Sequence, residues 1–179
     1  YSSEKLLEHD EYLFNPLTYR ISSRYEFLKD NKSYSLFIAK NNPVGFQFLP
    51  ESYRNDFDIT FSAVSQVGRM LDYAGNDMKN NKSIVIAAVR SDAKALRFAS
   101  ARLKNDVDVV REALKGNEWS LLFASEEIQK NKKIVLDEIK RNPKFDISHV
   151  HPFFHKDEEV VLVSVANNGH SLKKANEEL

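Results

Sequence analysis

The feature that most constrains this chain is that it repeats itself every 25 residues. The segment NKSIVIAAVRSDAKALRFASARLKN starts at Asn81, and DVDVVREALKGNEWSLLFASEEIQK starts at Asp106. Earlier copies start at Asn31 and Asp56, and later ones at Asn131, with one extra residue, and at Asp157, which stops short of its last positions. A unit of this size cannot bury its own apolar face, so the copies must stack into an array.

Each copy opens on Asn31, Asp56, Asn81, Asp106, Asn131 or Asp157, residues whose short side chains accept hydrogen bonds from the free N–H groups of a helix start. Apolar residues then recur at three, four, seven and eight places on, as in Ile84, Val85, Ala88 and Val89, or Val109, Val110, Ala113 and Leu114. That is a helical period, and it defines a helix A that ends in NNP at Asn41, KGN at Lys115 and NNG at Asn167. A second apolar cluster at Phe46, Leu71, Leu96, Leu121, Ile147 and Leu172, with Ala74, Ala99, Ala124 and Ala175 three places after the leucines, defines a helix B. Pro50 and Pro152 fall at or next to the slot of Ser100 and Ser125, where a continuous helix would clash, so a separate final turn is expected there. Ser100 and Ser125 are its expected caps, and Tyr53, Met78, Leu103, Ile128 and Phe154 its apolar anchors.

The predicted fold is all-α: tandem repeats of two helices plus a short final turn, stacked as a short α-solenoid or superhelical array over residues 31–179. Residues 1–30 read as an N-terminal cap or degenerate repeat. Tyr1, in place of Met, and the short last copy suggest a segment cut from a longer chain.

Composition removes chemistry. With 26 Lys and Arg against 26 Asp and Glu, no net basic field draws in a phosphate backbone, so nucleic-acid binding is not predicted. The absence of Cys excludes disulfides, thiolate metal sites and a thiol nucleophile. No apolar run is long enough for a membrane span, and 42% hydrophobic with 29% charged residues describes a soluble, folded chain.

The pattern D/N-x-x-[IV]-V-x-x-A-V, a loop, then x-L-x-[FY]-A-S-x-x-L-x-[ND] resembles the repeat family catalogued as domain of unknown function 4116. The match is best in the copies from Asn81 and Asp106, and weaker in those from Asn31 and Asn131, where Leu49 and Val150 replace the helix B Ala. The resemblance implies an α-helical tandem repeat found in intracellular bacteria and protists, including effectors secreted into a host cell. It implies no reaction, no cofactor and no catalytic residue.

Motif by motif, chemistry gives way to packing. His149, His151 and His155 cluster in the irregular fifth copy, but Pro152 disturbs the spacing a metal pair needs. His149 also occupies the slot of Phe48, Tyr73, Phe98 and Phe123, which makes it a packed ring, while His9 and His170 stand alone. The acids Glu126 and Glu127, and Asp157 to Glu159, fall at helix starts, where the dipole favours them. Basic residues including Lys79, Lys82, Arg90, Lys94, Arg97, Arg102 and Lys104 bias the copies from Asp56 and Asn81 toward an acidic protein or anionic lipid rather than nucleic acid.

Positions that break the repeat are free for partners. Two residues before the helix B Leu stand Val44, Arg69, Lys94, Trp119, Phe145 and His170, too varied for a core. Trp119 and Phe145, with Leu122 beside Leu121, form the leading candidate for partner binding, flanked by Lys94 and Arg69. The competing reading is that Trp119 covers its neighbouring repeat. A second row, Phe61, Ile86, Arg111, Leu136 and Leu162, reads more readily as inter-repeat packing. The predicted function is a non-enzymatic protein-interaction scaffold, a segment of a larger secreted bacterial effector with a host or bacterial protein as partner. The alternative is a regulatory or substrate-positioning region of a multidomain enzyme whose catalytic domain lies elsewhere.

Overall fold

The computed structural model describes residues 31–145 and 147–167. The expectations for residues 1–30 and for His170, Leu172 and Ala175 lie outside them.

All six expected capping residues cap. The Asp56 carboxylate accepts from the N–H groups of Asp58 and Ile59, and Asp106 does the same for Asp108 and Val109. Asn31, Asn81, Asn131 and Asp157 accept in the same way from Tyr34, Ile84, Ile134 and Val160. Ten-residue A helices follow at Lys32–Asn41, Phe57–Gln66, Lys82–Ser91, Val107–Gly116, Lys132–Arg141 and Glu158–Asn167. Their apolar faces form the core: Ile84, Val85, Ala88, Val109 and Ala113 are fully buried.

The second helical segment winds as a 3-10 helix. It spans Pro43–Phe48, Gly68–Tyr73, Ala93–Phe98 and Glu118–Phe123, and shortens to Ile147–His149 in the longer copy. An extended residue, Val67, Asp92 or Asn117, separates it from helix A in three copies, and in two of them that residue caps it locally: Asp92 accepts from Lys94 N–H, and Asn117 from Trp119 N–H. Phe46, Leu71, Leu96 and Leu121 point from it into the core with no exposed surface. Leu49, Ala74, Ala99 and Ala124 then return to extended backbone, which halts the 3-10 winding and frees the chain to start a new turn.

The separate final turn is a one-turn helix at Glu51–Arg54, Asn76–Lys79, Ala101–Lys104 and Glu126–Gln129. Ser100 caps Leu103 and Ser125 caps Ile128, as the sequence pattern predicts. In the longer copy His151 takes the serine slot, its Nδ1 accepting from Phe153 N–H ahead of Pro152–Phe154. Successive final turns are joined by backbone: Gly75 N–H donates to Arg54 C=O at 2.8 Å, Ser100 to Lys79 at 3.0 Å, and Ser125 to Lys104 at 2.9 Å. The copies from Asp56, Asn81 and Asp106 therefore each dock on the one before through three layers: helix on helix, 3-10 segment on 3-10 segment, and turn on turn.

Candidate interaction surface

The array has two contrasting edges, one built from helix starts and final turns, the other from helix ends and 3-10 segments.

At the first edge the charges are paired. Lys32 follows its cap by one place and reaches the cap of the next repeat, Asp56, at 2.7 Å. Lys82 pairs with Asp106 and Asp108, both at 2.9 Å, and Lys132 with Asp157 at 2.8 Å and Glu159 at 2.9 Å. The alternate copies put Phe57 and Val107 in the lysine place. Pairing therefore recurs every second repeat: an Asn-capped copy supplies a lysine and an Asp-capped copy receives it. Partial burial pushes the Asp56 and Asp106 carboxyls up, but hydrogen bonds from lysine and from the cap N–H groups outweigh it and hold them below the usual carboxylate range. At Asp157 the Lys132 hydrogen bond is the leading cause of the same downward shift. The lysines are raised in turn, Lys82 chiefly by its hydrogen bond to Asp108. This joint was missed from sequence, although Asn-Lys at residues 31, 81 and 131, answered by Asp at 56, 106 and 157, carries its signal.

At the second edge the candidate partner-binding residues separate. Arg69, Lys94, Trp119 and Leu122 are exposed, Trp119 by 44% and Leu122 by 41%. Phe145 is not: it is fully buried, and the exposed patch expected from it does not exist. Counting back from Ile147 crosses the extra residue of this copy and moves the register by one. Counted forward from Asn131, Phe145 falls in the buried slot of Gly45, Met70, Ala95 and Ser120, and its N–H makes their hydrogen bond, to Asn142 C=O at 2.9 Å. Lys144 is the true counterpart of Lys94 and Trp119, since its N–H is held by the Asn142 side chain as theirs are by Asp92 and Asn117.

The rejected partner slot is nonetheless linked to Trp119. His149 is buried although Phe48 and Tyr73 in the same slot are exposed, and its ring lies 5.4 Å from Phe145 and 4.4 Å from Trp119. Trp119 thus covers its neighbouring repeat with one part of its ring and offers the rest to solvent. His155 Nε2 meets Val150 C=O at 3.2 Å, and His151 is occupied as a cap, so the three histidines face separate tasks. Among the described residues no group of three His, Asp or Glu is arranged to hold a metal ion, and no helix is long and apolar enough to cross a membrane.

The second candidate row is divided. Ile86 and Leu136 pack against the core, Arg111 pairs with Asp137 at 3.5 Å, and Phe61 and Leu162 are exposed. Phe61 stacks on Phe57 with ring centroids 5.9 Å apart, a small exposed aromatic patch on the helix A side.

These observations define a tandem array of repeats, each an α-helix, a 3-10 segment and a one-turn helix. The chain belongs to the family described as Domain of unknown function (DUF4116), whose model matches residues 31–79, 61–104, 81–129 and 106–152. The match at 31–79 and that at 81–129 each take in nearly two repeats and start at an Asn cap, the same two-copy unit that the lysine joints mark. No curated protein and no solved structure matches the chain.

Proposed function

We propose that this chain is a non-enzymatic protein-interaction scaffold whose 3-10 edge, centred on Trp119 and Leu122 with Lys94 and Arg69 beside them, receives a protein partner. The observation that carries the reading is the exposure of these side chains on backbone that is fixed at every repeat. The 3-10 segments anchor Met70, Leu71, Ala95, Leu96, Ser120 and Leu121 in the core while leaving Arg69, Lys94, Trp119 and Leu122 exposed. Solenoids present partners with such extended surfaces, and large aromatic anchors dominate binding energy. The acids that stand in pairs already have structural work: Glu126 pairs with Lys130, and Glu127 accepts from Asn105 at 2.9 Å. The resemblance to repeats of intracellular bacteria supports the further reading that the scaffold is part of a larger secreted effector, acting on a host or bacterial protein.

A photo-crosslinking amino acid placed at Leu122, and separately at Ser83 on the opposite edge, tests this in a eukaryotic lysate. The scaffold reading requires a discrete adduct from position 122 and none from 83. Adducts from 83 alone, or none from either site, would overturn it in favour of a positioning segment for a catalytic domain.

A further inference from the structure

We propose that the 3-10 edge binds an extended acidic segment of the partner polypeptide, with carboxylates seated on Arg69, Arg97 and Lys94 and an apolar side chain against Trp119. The proposal rests on the scaffold reading and names the chemistry of its partner.

Lys32, Lys82 and Lys132 on the cap edge each hold an aspartate of the next repeat. On the 3-10 edge, Arg69 and Lys94 are exposed and have no ion-pair partner among the described residues. Arg90, at the end of the same helix A that leads to Lys94, is instead satisfied by Glu112 at 2.8 Å. Lys133 on the cap edge is exposed without an ion pair as well, but only on the 3-10 edge do such cations, Arg69 and Lys94, share one slot with an exposed Trp119 beside Leu122.

A groove of about 250 Å³ lies between neighbouring 3-10 segments, lined by Gln47, Arg69, Asp72, Tyr73, Arg97 and Phe98. The Arg97 guanidinium lies over the Phe98 ring, 4.5 Å from its centroid, which steadies its plane and leaves its N–H edge to receive a carboxylate. Two arginines against Asp72 leave the groove one net positive charge. That balance suits a monoanionic carboxylate better than a dianionic phosphate, which would meet the Asp72 charge at close range. Tyr73 and Phe98 supply apolar walls on which the stem of Glu or Asp can rest.

Spacing sets the pattern of the segment. Arg69, Lys94 and Trp119 occupy the same slot in successive repeats. Packed helices lie roughly 8–10 Å apart, and an extended chain in the polyproline II conformation brings every third side chain to the same face, about 9 Å further on. An extended partner crossing the repeats therefore meets Arg69, Lys94 and Trp119 with every third side chain, giving the order acidic-x-x-acidic-x-x-apolar.

The test uses a fluorescein-labelled 12-residue peptide carrying Glu, Glu and Leu at that spacing in a Gly/Ser background, titrated against the 179-residue chain at low salt. Two comparison peptides have the same composition with adjacent Glu residues, or Lys in place of Glu. The protein variants are Arg69→Glu with Lys94→Glu on the 3-10 edge, and Lys133→Glu on the cap edge, each verified by an unchanged circular dichroism spectrum. The proposal requires the spaced peptide to bind most tightly, the double charge reversal to weaken it by at least about tenfold, and Lys133→Glu to leave it unchanged. Failure of the parent to bind, equal binding of the clustered peptide, or indifference to the double reversal overturns it. So does preferential binding of phosphatidylserine vesicles or a 12-nucleotide RNA through Arg69 and Lys94. A discrete adduct from Leu122 together with failure of the peptide would leave the scaffold standing and remove the acidic-segment class alone.

Discussion

The Ser100 hydroxyl donates a 2.8 Å hydrogen bond to Asn80 Oδ1 of the preceding repeat. At the next joint Ser125 Oγ donates to Asn105 Oδ1 at 2.5 Å, while the Asn105 amide donates to Glu127. At the earlier joint the Asn55 amide donates to Asp77 at 2.5 Å, but Gly75 stands where the serine should be. Asn55 Oδ1 is left buried with no hydrogen-bond partner.

Replacing Gly75 with Ser should therefore stabilise the array. A Cβ at residue 75 would lie 2.3 Å from Asn55 Oδ1 and 2.7 Å from Asn55 Cβ, so the Asn55 side chain must swing and the two turns must draw slightly apart, to the arrangement that Asn105 and Ser125 adopt at the later joint. The new hydroxyl satisfies a buried acceptor and caps the final turn, a gain of about 1 kcal/mol. For a chain of this size that raises the melting temperature by roughly 2–4 °C. A lower melting temperature would show that the joints are not equivalent.

The same geometry separates core from edge. Leu96→Ala and Leu121→Ala each remove a fully buried side chain and should cost about 2–5 kcal/mol in chemical denaturation. Trp119→Ala loses the ring contact with His149, about 0.5–1.5 kcal/mol, together with the apolar area that contact covers. Its total cost should fall below either leucine. A loss at Trp119 equal to that at Leu121 would contradict its place on the edge.

Gly68 marks the tightest approach between repeats. A Cβ there would meet Ala88 C=O at 2.3 Å and Asp92 N at 2.8 Å, both backbone atoms of the next copy. Ala93 holds the same slot one repeat later, where it faces Gly116. Gly68→Ala has no such room and should destabilise by at least about 1–3 kcal/mol, measured as a fall in denaturation midpoint. An unchanged midpoint would mean that the copies slide past one another freely.

The cap-edge pairs predict how stability depends on pH. The Asp56, Asp106 and Asp157 carboxyls are lowered in the folded chain, so their contribution is complete above the ordinary carboxylate value of about 3.9 and is lost as pH falls through the lower folded value. Lys32, Lys82 and Lys132 are raised, so theirs is complete below the ordinary lysine value of about 10.4 and is lost as pH rises beyond it. Asp106→Asn retains an oxygen to cap Asp108 and Val109 but loses the charge facing Lys82. Its melting temperature should lie below the parent's at pH 7 and converge with it in acid. A constant difference down to acid would assign the loss to the cap alone.

Most of the fold was legible because the 25-residue phase repeats its physics. Six caps, the buried Leu slot and the Ser100 and Ser125 turns each follow from side chains that act within a few residues of themselves. The 3-10 winding was not, since a buried leucine with a buried neighbour just before it fits a six-residue segment of either pitch. Phe145 was misplaced because periodicity gives register only while copy length holds, and the copy from Asn131 is one residue longer. The Lys82 to Asp106 joint escaped notice because it spans two copies, and a single-copy pattern averages over its alternation. Arg69, Lys94, Trp119 and Leu122 were found as departures from the repeat, the signal that remains once packing is accounted for.

The central claim is that partners engage the 3-10 edge. Quantitative affinity capture from a eukaryotic lysate compares the parent chain with Trp119→Ser plus Leu122→Ser, and with Phe57→Ser plus Phe61→Ser on the helix A side, all three shown to be folded by circular dichroism. The account predicts a partner retained by the Phe57 and Phe61 variant and lost from the Trp119 and Leu122 variant. A partner that survives loss of Trp119 and Leu122 but not of Phe57 and Phe61 would contradict it.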